Sequence, residues 1–135
     1  MIGEEAVAGF DFGVLRRALE GADPDALFVF YAEDAQLRVE NADLPDGPAF
    51  ELKGKGQIER YLRVVCDKEM SRMVEGGPVF GESSVSFVEV CEYPDGARIS
   101  VSTTLEVVRG LIGRQTDVVE RIRSDGTEGG ERRGL

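Results

Sequence analysis

The stretch Asp23–Val39, Asp-Pro-Asp-Ala-Leu-Phe-Val-Phe-Tyr-Ala-Glu-Asp-Ala-Gln-Leu-Arg-Val, restricts the fold more than any other part of the chain. Asp23 can cap a helix, Pro24 has its φ preset for the first helical position, and Asp25 places a carboxylate at the positive helix end. From Leu27 to Ala32 almost every side chain is apolar, which leaves no wet face and predicts a short helix lying inside the fold. After Asp34 the period changes. Ala35, Leu37 and Val39 point one way and Gln36, Arg38 and Glu40 the other, the alternation of a half-buried strand. A buried helix running straight into such a strand needs other elements to wrap it.

Upstream, residues 1–10 are small, acidic and Gly-containing and read as a flexible N-terminus. A first helix is expected over Asp11–Glu20, with Leu15, Ala18, Leu19 and Ala22 at the spacing of one face and Gly21 as its stop. Downstream, Asn41–Pro48 is turn chemistry, and Phe50 and Leu52 mark a second short strand. Gly54 and Gly56 open a third helix in which Ile58, Tyr61, Leu62, Val65 and Cys66 keep the three-and-four spacing. The Lys53-Gly54-Lys55-Gly56 run lacks the spacing and the Ser or Thr of a phosphate loop and reads as a strand-to-helix turn.

From Met70 onward only strands and turns are expected. Arg72–Phe80, broken by Gly76-Gly77-Pro78, reads as a bent or edge strand. Val85, Phe87, Glu89, Cys91 and Tyr93 share a face of the next, Pro94-Asp95-Gly96 turns it, and Ile99, Val101, Thr103, Leu105 and Val107 share a face of the one after. Gly110–Gly113 is the following turn, and Gln115–Ile122 the last strand. Residues 124–135 are Gly-rich, charged and almost free of apolar side chains, the composition of a disordered tail. Helices first and strands after is an α+β order, with one domain over residues 11–123.

Charge and composition narrow the function classes. A net charge of −10 with no basic block argues against nucleic acid and anionic membrane as partners. Histidine is absent, which removes the usual general base, the commonest metal ligand and every imidazole triad. No metal site is expected, because no carboxylate cluster has the spacing of a calcium loop. Cys66 and Cys91 lie in apolar-periodic segments and read as free thiols, a disulfide between them being the alternative, and with no signal-peptide pattern and no membrane-length apolar run a cytoplasmic location is expected.

Ala-Asp-Pro-Asp-Ala-Leu followed by Phe-Tyr-Ala-Glu-Asp-Ala, then Lys-Gly-Lys-Gly-Gln-Ile-Glu-Arg-Tyr-Leu opening the third helix, then the Glu92-Tyr93 to Gly96 hairpin, occur in the order and spacing of the nuclear transport factor 2-like superfamily. The chain resembles that superfamily, which includes ketosteroid isomerase, SnoaL-type polyketide cyclases and scytalone dehydratase, over about Phe12–Ile122. The resemblance implies an α+β cone: three N-terminal helices packed in a strongly curved, mostly antiparallel sheet, a pocket between them, and frequent dimerisation through the sheet's outer face. Here that face would carry Ser84, Ser86, Val88, Val90, Ser100, Ser102 and Thr104, compatible with a homodimer. In ketosteroid isomerase a tyrosine on the first helix and a protonated aspartate on a late strand hold the oxyanion, and an aspartate on the first strand moves the proton. Leu15 falls where that tyrosine would be, Val39 where the base would be, and Glu106 at the third position.

Alternation turns Glu106 outward unless a bulge intervenes. Glu89 makes the stronger case, since it interrupts an apolar face and desolvation would tune it as a general acid or base. The bland alternative is that it is wet, or paired with Arg72, Arg98 or Arg109. The catalytic candidates are therefore Glu89 and Glu106, and the candidate ligand-binding residues are Leu15, Tyr31, Val39, Tyr61, Phe87 and Cys91, with Tyr31 or Tyr61 orienting a carbonyl or hydroxyl. The expected function is a SnoaL-like pocket for an apolar small molecule, as a cofactor-free isomerase, cyclase or hydratase if it is catalytic. A non-catalytic dimeric binding or interaction module of the same fold is the alternative.

Overall fold

Asp11 accepts a hydrogen bond from the Val14 amide and starts helix α1 (Phe12–Glu20), which buries Phe12, Leu15 and Ala18. Asp23 does the same for the Ala26 amide and starts α2 (Pro24–Phe28). The fold comes from a computed structural model that describes residues 6–7, 9–44, 46–47 and 49–122. The expected tail at 124–135 lies outside the described residues. The N-terminal segment departs from the expected flexible stretch over 1–10: β1 (Ala6–Val7) pairs with β2 (Phe10–Asp11), and the Phe10 ring packs edge-on against Phe30 at 5.5 Å.

The second helix is shorter and wetter than its sequence predicts. It ends at Phe28, buries only Leu27, and leaves Val29 63 % exposed. The chain enters β3 (Tyr31–Asn41) at Tyr31, because the Phe30 carbonyl accepts from the Ile112 amide at 2.8 Å and sheet pairing captures residues whose aromatic and β-branched side chains favour it. Beyond the turn, β4 (Phe50–Lys53) pairs antiparallel with β3, and α3 (Lys55–Cys66) follows, burying Ile58 and Leu62.

Four long strands complete the sheet: β5 (Ser71–Phe80), β6 (Ser84–Glu92), β7 (Arg98–Val108) and β8 (Leu111–Ile122). Their order is β4-β3-β8-β7-β6-β5, antiparallel throughout except for the parallel β3–β8 pair. The sheet is curved and unclosed, and the helices fill its concave side. As expected, β5 is an edge strand, with its register broken between Glu75 and Val79 where Gly76 takes φ 64°. The helix α1 guards that edge. Glu20 accepts from the Val74 amide at 2.8 Å while Arg16 donates to the Val74 carbonyl at 3.2 Å, so both free backbone groups of Val74 are satisfied. Among the described residues no helix is long and apolar enough to cross a membrane.

Two features of β7 and β8 position the site. Arg109 and Gly110 both take positive φ, 55° and 78°, as a two-residue hairpin turn demands. Three residues later Gly113 is an extra residue: Val107 pairs with Ile112 and Glu106 already with Arg114, so β8 bulges there. The bulge lets both Ile112 and Asp117, residues of opposite parity, face the concave side, where they are 0 % and 8 % exposed.

Candidate functional site

Between the concave sheet, α3 and the α1–α2 corner lies a cavity of about 320 Å³, at the lower end of the roughly 300–1,000 Å³ of small-molecule pockets. Its apolar wall includes Leu27, Phe87, Val101 and Val119, and its lip includes Phe50, Val64 and Met70.

Polar groups enter from β3, β5, β6, β7 and β8. On β6, Glu89 follows Phe87 on the inward face and pairs across the ladder with Val74 and Val101. One of its carboxyl oxygens, Oε2, is buried without a hydrogen-bond partner. Desolvation pushes this carboxyl up to about 7, against a smaller opposing effect of Arg72. Arg72 forms no ion pair with it among the described residues. Its guanidinium instead donates to the Val65 carbonyl at 2.6 Å, where it caps the end of α3.

On β8, Asp117 is held by three donor contacts: Thr103 Oγ1 at 2.9 Å, and Gln115 Nε2 at 3.0 Å to one oxygen and 3.2 Å to the other. Burial raises its pKa, and the Gln115 and Thr103 hydrogen bonds oppose that rise. Tyr31, the first residue of β3, donates its hydroxyl to Gln115 Oε1 at 2.6 Å and so fixes which way that amide points. Burial drives the Tyr31 hydroxyl pKa far above its usual value. Tyr61 on α3 also lines the cavity, its ring edge-on to Phe50 at 5.5 Å and its hydroxyl pushed up to about 12 by burial.

Of the residues singled out from sequence, Glu89, Tyr31, Tyr61, Phe87 and Cys91 come together in this cavity. Tyr31 does so from a strand, not from the expected helix, because the helix stops early. Burial lifts the Cys91 thiol to about 11, which leaves it without nucleophilic character near neutral pH. Leu15 is buried in the main core and Val39 packs against that core, and neither lines the cavity. Glu106 is exposed and outside it: the extra residue sits on β8, so the inward parity of Leu105 and Val107 on β7 is unbroken and Glu106 stays outward. Sequence reasoning missed Asp117 and Gln115, and named Arg72 only as a pairing partner for Glu89. The usable signal was inward-facing Thr103, a polar residue on an apolar face that needs a partner on the neighbouring strand. Among the described residues no group of three His, Cys, Asp or Glu could hold a metal ion.

No protein-family model and no curated protein matches the sequence. Solved structures do match. A candidate ketosteroid isomerase from Kribbella flavida superposes with a TM-score of 0.63 at 19 % identity, covering 90 % of this chain and 82 % of that one. The chain has the nuclear transport factor 2-like fold. A candidate polyketide cyclase from Xanthomonas campestris gives 0.59 at 19 % identity over 79 % of this chain and 85 % of that one. An NTF2-like protein of unknown function from Burkholderia xenovorans gives 0.65 at 14 % identity over 85 % and 84 %. At these identities the likeness establishes the α+β cone and leaves the chemistry to the residues of the cavity.

Proposed function

We propose that the cavity binds an apolar small molecule and that Glu89 moves a proton to or from it without a cofactor, the chemistry of an isomerase, cyclase or hydratase. The observation that carries this reading is the buried, unpartnered Glu89 Oε2 in a largely apolar cavity. A carboxyl with a pKa of about 7 exchanges protons readily in either direction at neutral pH. Tyr61 supports the reading as the group that orients the ligand, since among the described residues its hydroxyl has no partner such as Gln115 is for Tyr31. Structural neighbours described as ketosteroid isomerase and polyketide cyclase candidates point the same way.

The test is a thermal-shift screen of neutral hydrophobic carbonyl and hydroxyl compounds, followed by solvent-deuterium incorporation into each ligand found. Glu89→Gln should abolish incorporation while leaving the affinity for those neutral ligands nearly unchanged; full incorporation by the variant would remove Glu89 from the mechanism. A non-catalytic binding module is the second reading. It draws support from Leu15 and Val39, both apolar where the ketosteroid isomerase pattern has a tyrosine and a base. Ligands that bind with no deuterium incorporation in the wild-type protein would decide for it.

A further inference from the structure

The cavity is graded from a polar floor to an apolar lip. Asp117, Thr103 and Tyr31 are buried at its base, with Gln115 bonded to two of them, while Phe50 and Val64 at the lip are 45 % and 60 % exposed. A ligand with one polar end would enter that end first and leave its apolar body against the lip.

The hydrogen-bond inventory of the floor is one-sided. The Thr103 hydroxyl is spent on Asp117, both amide contacts of Gln115 go to the same carboxyl, and the Tyr31 hydroxyl is spent on Gln115. What is left over there is acceptor capacity: Glu89 Oε2, buried without a partner, and the lone pairs of Asp117 beyond its three donor contacts. Donors without a partner among the described residues remain on Tyr61, on Tyr93, on the exposed Lys68 and on Nε and Nη1 of Arg72. Arg72 lines the cavity and its Nη2 donates to the carbonyls of Val65 and Lys68 at the end of α3. Arg72 and the exposed Lys68 are the cations that line the cavity, but at the floor an anionic head would meet two carboxyls, whereas a group with several N–H donors would satisfy the orphaned oxygen. The aromatic residues Tyr31, Tyr61 and Phe87 line the same cavity, and aromatic side chains are the kind that attract a cation. A chain of net charge −10 also steers cations toward itself.

We infer that the ligand is a hydrophobic amine, bound head first as its ammonium with the nitrogen donating to Glu89 and its apolar body against the lip. This rests on the small-molecule reading above and adds a charge class to it. An ammonium pairs with the ionised form of Glu89, so binding rises with pH as that carboxyl loses its proton. The charged and titratable groups around Glu89 are Glu20 from α1, Tyr31 from β3, Tyr61 and Cys66 from α3, Lys68 just beyond it, Arg72 from β5, Cys91 on β6 itself, Tyr93 just after it and Asp117 from β8. Burial keeps the Tyr31, Tyr61 and Cys91 groups neutral near pH 7, while Glu89, raised to about 7, and Asp117, raised by burial in the same direction, are the carboxyls of the cavity that take up protons as pH falls.

The experiment is calorimetric titration of the full chain with three probes of matched shape: phenylbutylamine, phenylbutanol and phenylbutyrate. The amine is expected to bind about tenfold more tightly than the alcohol, and the carboxylate not at all. Between pH 5.5 and 8.5 the amine affinity should climb and level off above neutrality while the alcohol stays flat. In Glu89→Gln the amine advantage should vanish, with the alcohol affinity kept within about twofold. Alcohol and amine binding equally, or an amine affinity flat with pH, would overturn the inference while leaving the neutral-ligand reading standing. No binding by any of the three would overturn both.

Discussion

Thr103 and Asp117 are register partners on β7 and β8, and the Thr103 hydroxyl donates to Asp117 Oδ1 at 2.9 Å in a fully buried contact. That pairing exists only because of Gly113. Counting back from the Arg109-Gly110 turn in regular register, with Val108 opposite Leu111, Thr103 would face Thr116 and Asp117 would point to the convex side. One extra residue converts an outward acid into the best-supported carboxyl of the cavity. Thr103→Val keeps the shape and removes the donor, so a buried acceptor loses one of its partners. The expected cost is about 1–3 kcal/mol in urea unfolding at pH 7.

Tyr31 and Tyr61 look alike in the sequence and play different parts in the cavity. Tyr31→Phe breaks the 2.6 Å bond to Gln115 and releases the amide that supports Asp117, so it should destabilise the fold by about 1–2 kcal/mol. Tyr61→Phe removes a hydroxyl with no such bond. Its stability should stay within about 0.5 kcal/mol of wild type, while ligand affinity or turnover falls. Paired thermal melts and binding titrations separate the two, and equal destabilisation by both substitutions would remove the distinction.

What the sequence revealed and what it concealed divide along the same physical line. On β6 the register with β7 runs without a break from Ser84 to Glu92, so simple alternation put Phe87, Glu89 and Cys91 on one inward face. On β8 alternation fails at Gly113, and the face of Asp117 could not be read from spacing alone. The end of α2 was hidden for a different reason. Phe28–Tyr31 is apolar in any register, and the pairing of Phe30 with Ile112, more than eighty residues away, decides where helix gives way to strand. Capping by Asp11 and Asp23 is local chemistry, and both caps form as their residue types predict.

The Gly54 and Gly56 pair at the mouth of α3 offers a test of backbone requirements next to the cavity wall. Gly54 takes φ 91° and ψ 150°, a region essentially reserved for glycine, so Gly54→Ala should cost about 1–3 kcal/mol although no atom crowds the new methyl group. Gly56 lies inside the helix with open space around it, and Gly56→Ala should stabilise by about 0.5–1 kcal/mol. Opposite signs in two chemically identical substitutions, read by denaturant midpoints, are the expected outcome. A neutral Gly54→Ala would mean that the corner relaxes.

Glu89 should leave a signature in the pH dependence of stability even before a ligand is known. Its carboxyl is raised from 4.5 to about 7 in the folded protein, chiefly by desolvation, so the folded chain holds the proton more tightly than the unfolded chain does. For an acid shifted in this direction, the advantage is full below the unfolded value and is lost as pH rises from about 4.5 through about 7. The shift corresponds to roughly 3 kcal/mol between those limits. Asp117 is shifted in the same direction and adds to the slope, whereas Glu20, lowered chiefly by its bond to the Val74 amide, opposes it at the acid end. The clean quantity is therefore the difference between wild type and Glu89→Gln. The variant should gain on the wild type between pH 5 and pH 8, ending more stable at the alkaline side, as measured by urea unfolding at several pH values. Parallel stability curves for the two proteins would mean that Glu89 is ionised and solvated at neutral pH, and the proton-transfer proposal would lose its acid.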